Sequence, residues 1–286
     1  MQIRFLVYLA AAAAYQGSVH GQSDCNYPTI AGPEFQFREA DESLRKYGYQ
    51  MWKTTPSTTG SRLGYESYAG KKGKLQSEKV EVGRPPIAPN TWHVAILETC
   101  EKAYAWANVY KDADALERTT GIYFFDTLRR AQSMVGSSLW ISQTGAAKEL
   151  TLFTVDPKVR HQVAHLEQVT ITGVHVVALP HGSASAPFNL IVKKQSGDEG
   201  LLPFNSRYFF TSNPIDPTWP ADFAETIKQR KIRLGMSAQQ VELSWGKPER
   251  VNSTVSAQGV REQWVYGGGQ LLYLEDGKLT TFQSSR

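Results

Sequence analysis

Leu234-Gly235-Met236-Ser237-Ala238-Gln239-Gln240-Val241-Glu242-Leu243-Ser244-Trp245-Gly246-Lys247-Pro248 is the stretch on which the fold turns. Ser237 followed three residues later by Gln240 has the form of a capping box, in which each side chain satisfies the other's backbone N–H. Val241 and Trp245, four apart, lie on one face of the helix so begun. Gly246 can take the left-handed stop, and Pro248 forbids resumption. Upstream, Pro220 suits a first helical turn. Trp219, Phe223 and Ile227 then repeat every four residues, giving an apolar stripe that runs towards Lys231. Downstream the period changes to two. Arg250 to Ser256, Val260 to Tyr266, Gln270 to Leu274 and Leu279 to Gln283 read as strands. They are separated by Gln258-Gly259, Gly267-Gly268-Gly269 and the hairpin pair Asp276-Gly277. Two helices followed by an antiparallel meander make a two-layer α+β unit.

The segment Ile232 to Gln283 resembles the BamE (SmpA/OmlA) family of outer-membrane assembly lipoproteins. The matching residues are Leu234-Gly235-Met236-Ser237, Val241, Trp245-Gly246-Lys247-Pro248, Gln263-Trp264-Val265-Tyr266 and Leu272-Tyr273-Leu274 before Asp276-Gly277-Lys278. The resemblance implies two helices on a three-stranded antiparallel sheet, a cell-envelope location and a protein partner, in the type member the outer-membrane assembly machinery. Gly235, Met236, Val241, Trp245, Gly246 and Pro248 are then structural motif residues. The family's lipid-bearing Cys has no counterpart, and the long region before the module is absent from the type member. The whole chain resembles exported proteins ending in such a unit.

That preceding region, 63–213, is rich in short apolar strands. They include Trp92 to Glu98, Leu139-Trp140-Ile141, Leu150 to Phe153, Val169-Thr170-Ile171, Val174 to Leu179, Leu190-Ile191-Val192 and Tyr208-Phe209-Phe210. One helix is expected over Asp126 to Val135. Close spacing between Gly, Pro and Asp turns suggests small barrels or a sandwich. Tyr68-Ala69-Gly70-Lys71 and Met134-Val135-Gly136-Ser137 echo each other. The echo suggests two Src-homology-3-like barrels in tandem. Asn213 to Pro217 marks the boundary before the C-terminal module at 218–286.

Arg4, the apolar run Phe5 to Ala14 and small residues before Gly21 have the layout of a signal peptide over 1–21. Residues 22–62 read as a partly disordered arm. Within it Glu34 to Trp52 could hold a short helix marked by Phe35, Phe37, Leu44 and Tyr47, and Thr54 to Ser61 forms a linker. Two cysteines, Cys25 and Cys100, are candidates for a disulfide in an oxidising compartment, against an inert thiol or a metal site. Asp24 beside Cys25 argues against a lipid anchor, so the expected place is the periplasm or envelope.

With 41% apolar and 20% charged residues the chain can bury a core, and its net charge of +4 is spread thinly. The clusters Lys71/Lys72/Lys74/Lys79 and Lys228/Arg230/Lys231/Arg233 lack a groove-reading motif, so nucleic acid is not an expected partner. Four histidines, His161, His165, His175 and His181, raise the question of zinc. A helix over Val159 to Leu166 would put the first two on one face, but no third ligand converges. Ser183 and Ser185 near His181 lack a nucleophile elbow. Asp112 and Asp114 lack the rest of a calcium loop. No catalytic residue, metal or cofactor is expected. Binding falls instead to Trp264, Tyr266 and Tyr273, aromatics on adjacent strands that either pave an open sheet face or pack against the Trp245 helix. Three functions follow: an envelope binding or assembly protein, a secreted inhibitor-like or ligand-sequestering protein and, least supported, an enzyme built in the middle region.

Overall fold

Glu34-Phe35-Gln36-Phe37 alternates polar and aromatic residues, and it forms a strand with both phenylalanines at most 1% exposed. The computed structural model describes residues 25–53, 62–82, 90–107, 116–117, 120–144, 150–154, 159–178, 186–257 and 259–283. The signal peptide, the linker Thr54 to Ser61, Asp112, Asp114, His181, Ser183 and Ser185 lie outside them. Residues 25–53, expected to be part of a loose arm, instead supply β1 (Glu34–Phe37), the one-turn α1 (Glu42–Arg45) and β2 (Tyr49–Trp52). Phe35 and Phe37 mark a period of two rather than a helix, and Leu44 alone of the apolar marks lies in α1. Tyr65–Tyr68, within the region read as strand-rich, forms the helical turn α2.

With β3 (Arg62–Leu63), β4 (Lys72–Val82), β5 (Asn90–Leu97), β6 (Lys102–Ala107) and β7 (Ile122–Phe124), these form a seven-stranded sheet of order β3-β2-β6-β5-β4-β1-β7. Helix α3 (Phe125–Ser133) then leads into β8 (Ser138–Ile141), β9 (Thr151–Phe153), β10 (Arg160–Gln162), β11 (Gln168–Val176), β12 (Phe188–Lys194), β13 (Glu199–Pro203) and β14 (Phe209–Phe210). Their order is β10-β9-β13-β12-β11-β8-β14. Raising every strand number of the first sheet by seven gives the second.

The correspondence extends to single hydrogen bonds. Phe37 N donates to Lys71 O and Gly70 N to Phe37 O; in the second sheet Ile141 N donates to Glu167 O and Leu166 N to Ile141 O. Gly70 and Leu166 both have positive φ, 75° and 59°. Both fourth strands are bulged at matching places, between Leu75 and Ser77 and between Ile171 and Gly173. The latter makes one strand of the two expected over 169–179. The turns after β5 and β12 match as well, Cys100 N to Leu97 O and Gly197 N to Lys194 O. Even the surface repeats: Arg62 covers the Trp52 ring and Arg160 the Phe153 ring.

An internal repeat is therefore present, but in another phase from the expected echo. Tyr68–Lys71 precedes the fourth strand of its sheet and Met134–Ser137 the first of its own, so the two tetrapeptides are not equivalent. Each sheet encloses its own apolar cluster, with Phe35, Phe37 and Met51 in one and Leu139, Ile141 and Leu152 at the matching points of the other.

The C-terminal module has α4 (Ala221–Lys228), α5 (Ala238–Trp245) and a meander of four strands, the four that the residues mark and one more than the resemblance implies. They are β15 (Arg250–Ser256), β16 (Gly259–Tyr266), β17 (Gln270–Glu275) and β18 (Lys278–Gln283). The fourth arises because β15 pairs with β16 along its whole length without contributing a side chain to the core. At Ser237 the capping box forms as its sequence spacing requires, and Gly246 ends α5 at φ 87°. Gly235, at the same φ, donates to Leu279 O and so ties the interhelix turn to β18.

Candidate binding surface

Strand β16 alternates, and its inward positions after Glu262 are Trp264 and Tyr266. Both are buried, in one cluster with Ile227, Met236, Val241, Leu243, Leu272, Leu274 and Leu279. Trp264 Nε1 donates to Glu262 Oε2 at 3.2 Å, and the Tyr266 hydroxyl donates to Gly246 O at 2.8 Å. Trp245 meets the Tyr266 ring edge-on at 5.6 Å and gives its own Nε1–H to Arg230 O. Burial, reinforced by Glu242, raises the Tyr266 phenol well above its ordinary range. Trp264 and Tyr266 are thus core residues and not contact residues, because the helices claim their face of the sheet. Tyr273 takes the opposite face, half-buried. Gln263 Nε2 donates to its hydroxyl, which in turn donates to Gln283 Oε1.

The surface left open is β15, expected as a strand from its sequence but not as a binding surface. All seven residues of β15 are exposed. Val251 lies opposite Trp264 and Val255 opposite Val260, so both valines stand on the helix side of the sheet, beyond the reach of the helices. Val255 is 78% exposed. Val260 supplies the direction of the free backbone groups. Its N–H donates to Asp276 Oδ1 and its C=O accepts from Asp276 N, so both point away from β15. In an antiparallel ladder such groups alternate along the strand. The N–H and C=O of Val255, and with them those of Ser253 and Val251, therefore face outward. Arg250 is the strand's single charge. The available signal was Val-x-x-x-Val in an otherwise small and polar run, without the apolar density that marks a core strand.

No family model, curated protein or solved structure matches the chain. Its chemistry must therefore be read from its own geometry.

The other candidate residues are occupied. Cys25 and Cys100 form a disulfide across 75 residues, so Cys100 is not a thiol nucleophile. His161 sits in strand β10, not in a helix, near Asp198. His165 is 3% exposed. Its Nδ1 accepts from Gln143 N at 3.0 Å and its Nε2 lies 2.9 Å from Leu243 O, to which it donates as the neutral ring. It therefore joins the second sheet to α5. The lysines do not converge either, since Lys71, Lys72 and Lys74 lie over Tyr68, Phe125 and Tyr27 respectively. Arg233 pairs with Asp222. Sequence reasoning also missed Arg38, 1% exposed, whose Nη1 donates to Val177 O and Nη2 to Glu117 O. Burial lowers it to about 10 against the opposing pull of Glu117, and it ties the first sheet to the end of β11.

His165 makes stability depend on pH. Burial, abetted by Arg230, lowers it from 6.5 to about 4, although the bond to Leu243 opposes the shift. The unfolded chain then binds the proton more readily, so this stabilisation is present above 6.5 and is lost as pH falls towards 4. The expected loss from pH 7 to pH 5 is about 2 kcal/mol. Urea titrations of the wild type and His165→Gln at both pH values check it, since the variant loses this component of the slope.

Proposed function

We propose that this chain is a non-catalytic, exported binding protein of the cell envelope, whose BamE-like C-terminal module takes a protein partner by strand addition at β15. The observation that carries the reading is an edge strand exposed at every position, with outward backbone groups at alternate residues and valines beside them. Added strands gain affinity from such backbone groups and specificity from alternate side chains. Three further facts support it. The disulfide suits an oxidising compartment. No helix among the described residues is long and apolar enough to cross a membrane. Cys100 and His165, around which an enzyme would be built, are engaged in structure. The two repeated sheets, read as small barrels of the Src-homology-3 kind, serve as a rigid stem for the module.

The test is photo-crosslinking in cells from a reactive residue at position 255, with buried position 266 as the control. Capture of an outer-membrane assembly component from 255 alone supports both the edge and the envelope role. An equal yield from 266, or no product from 255, rejects the edge.

A further inference from the structure

This inference rests on β15 being the binding edge and names what binds there. We propose that β15 pairs antiparallel with β15 of a second copy of the chain, about a two-fold axis through Ser253, making one sheet across both modules.

The strand reads Arg250-Val251-Asn252-Ser253-Thr254-Val255-Ser256, and it is nearly symmetric about its centre. Reversed upon itself at Ser253, it sets Val251 opposite Val255, Asn252 opposite Thr254 and Arg250 opposite Ser256. No like charges meet, and the two exposed valines of each copy pair with those of the other, a stabilising cross-strand contact. The backbone agrees with the side chains. Val251, Ser253 and Val255 carry the outward groups, and this register brings each of those N–H groups to an outward C=O of the other copy. A shift of one residue would set every outward residue opposite one whose groups face its own β16, and the ladder would be lost. The axis stands perpendicular to the sheet, so the helices of both copies remain on one side and the paired valines floor the space between them. A symmetric interface of this kind needs only one self-complementary patch, and an unpaired edge without charges along its centre lacks the usual protection against such pairing.

Ser253→Pro removes the central outward N–H and leaves the hairpin bonds to β16 intact, a position where an edge strand tolerates proline. In sedimentation velocity over a concentration series, the wild type is expected to run as a dimer and Ser253→Pro as a monomer with an unchanged melting temperature. Ser253→Cys supplies a second measurement. A hydrogen-bonded antiparallel pair sets its Cα atoms about 5.5 Å apart, within disulfide reach. Both native cysteines are already paired. Mild oxidation should link Ser253→Cys into a covalent dimer and leave Asn252→Cys, which faces Thr254, monomeric.

A wild type that stays monomeric at its highest soluble concentration, or equal crosslinking of both cysteine variants, overturns the second copy as occupant. If the crosslink from position 255 in cells then persists and is lost in Ser253→Pro, the edge is upheld with a different partner. If it is indifferent to Ser253→Pro, both the pairing and the edge fall.

Discussion

Replacing Cys25 and Cys100 together by serine is expected to lower stability by about 4 kcal/mol, because the bond closes a loop spanning 75 residues and restricts the unfolded chain accordingly. Equilibrium urea unfolding without reductant measures it. The position of Cys100 adds a sharper form of the test. Cys100 has φ 64°, at the turn between β5 and β6. Gly197, with φ 95°, holds the matching turn between β12 and β13. A side chain in the left-handed region is costly, and glycine is free of that cost. In a Cys25→Ser background, Cys100→Gly should therefore be more stable than Cys100→Ser by about 1 kcal/mol. Equal stabilities would mean that the turn is relaxed with either residue, and the equivalence with Gly197 would carry no energetic content.

The second large effect concerns Gly73, which lies opposite Phe35 in β1. A Cβ there would stand 2.3 Å from Phe35 Cζ, so Gly73→Val must displace the ring. The expected cost is about 3 kcal/mol, the upper range for overfilling a packed core. At the matching point of the second sheet Leu139 lies opposite Val169, a smaller residue against a larger one. Phe35→Leu should accordingly restore more than half of what Gly73→Val loses, a coupling of at least about 1 kcal/mol in a double-mutant cycle. Strict additivity of the two changes would show that the pair does not share one volume.

Local chemistry decided how much could be read in advance. The capping box at Ser237, the stop at Gly246 and the hairpin at Asp276-Gly277 were legible because each is fixed by residues a few positions apart. The α+β class was legible for the same reason. The repeat was visible only in outline. Its equivalences lie in hydrogen bonds between strands distant in sequence, and the side chains that fill the two cores differ, as Phe35 with Gly73 differs from Leu139 with Val169. Residues 34–52 were misjudged because two alternating aromatics in a short segment leave the period open until a partner strand is known. The candidate site failed in a similar way. Alternation places Trp264 and Tyr266 on one face and Tyr273 on the other, but sequence alone does not say which face the helices cover. That β15, itself legible as a strand, would lie open was not legible, because exposure is a property of what fails to pack over it.

Two sheets with one strand order in one chain also present a problem of identity while the chain folds. β8 has the length and hydrogen-bonding pattern to lie on β4, and β1 to lie on β11, either within one molecule or between two. Repeated units are prone to this kind of misassembly. The unequal filling of the two cores sorts them. Phe35 set against Val169 would collide, and Leu139 set against Gly73 would leave a hole, so each strand is rejected by the wrong sheet for an opposite reason. The variant carrying both Phe35→Leu and Gly73→Val would recover most of the lost stability and lose that discrimination, and its refolding is expected to yield exchanged and tangled chains.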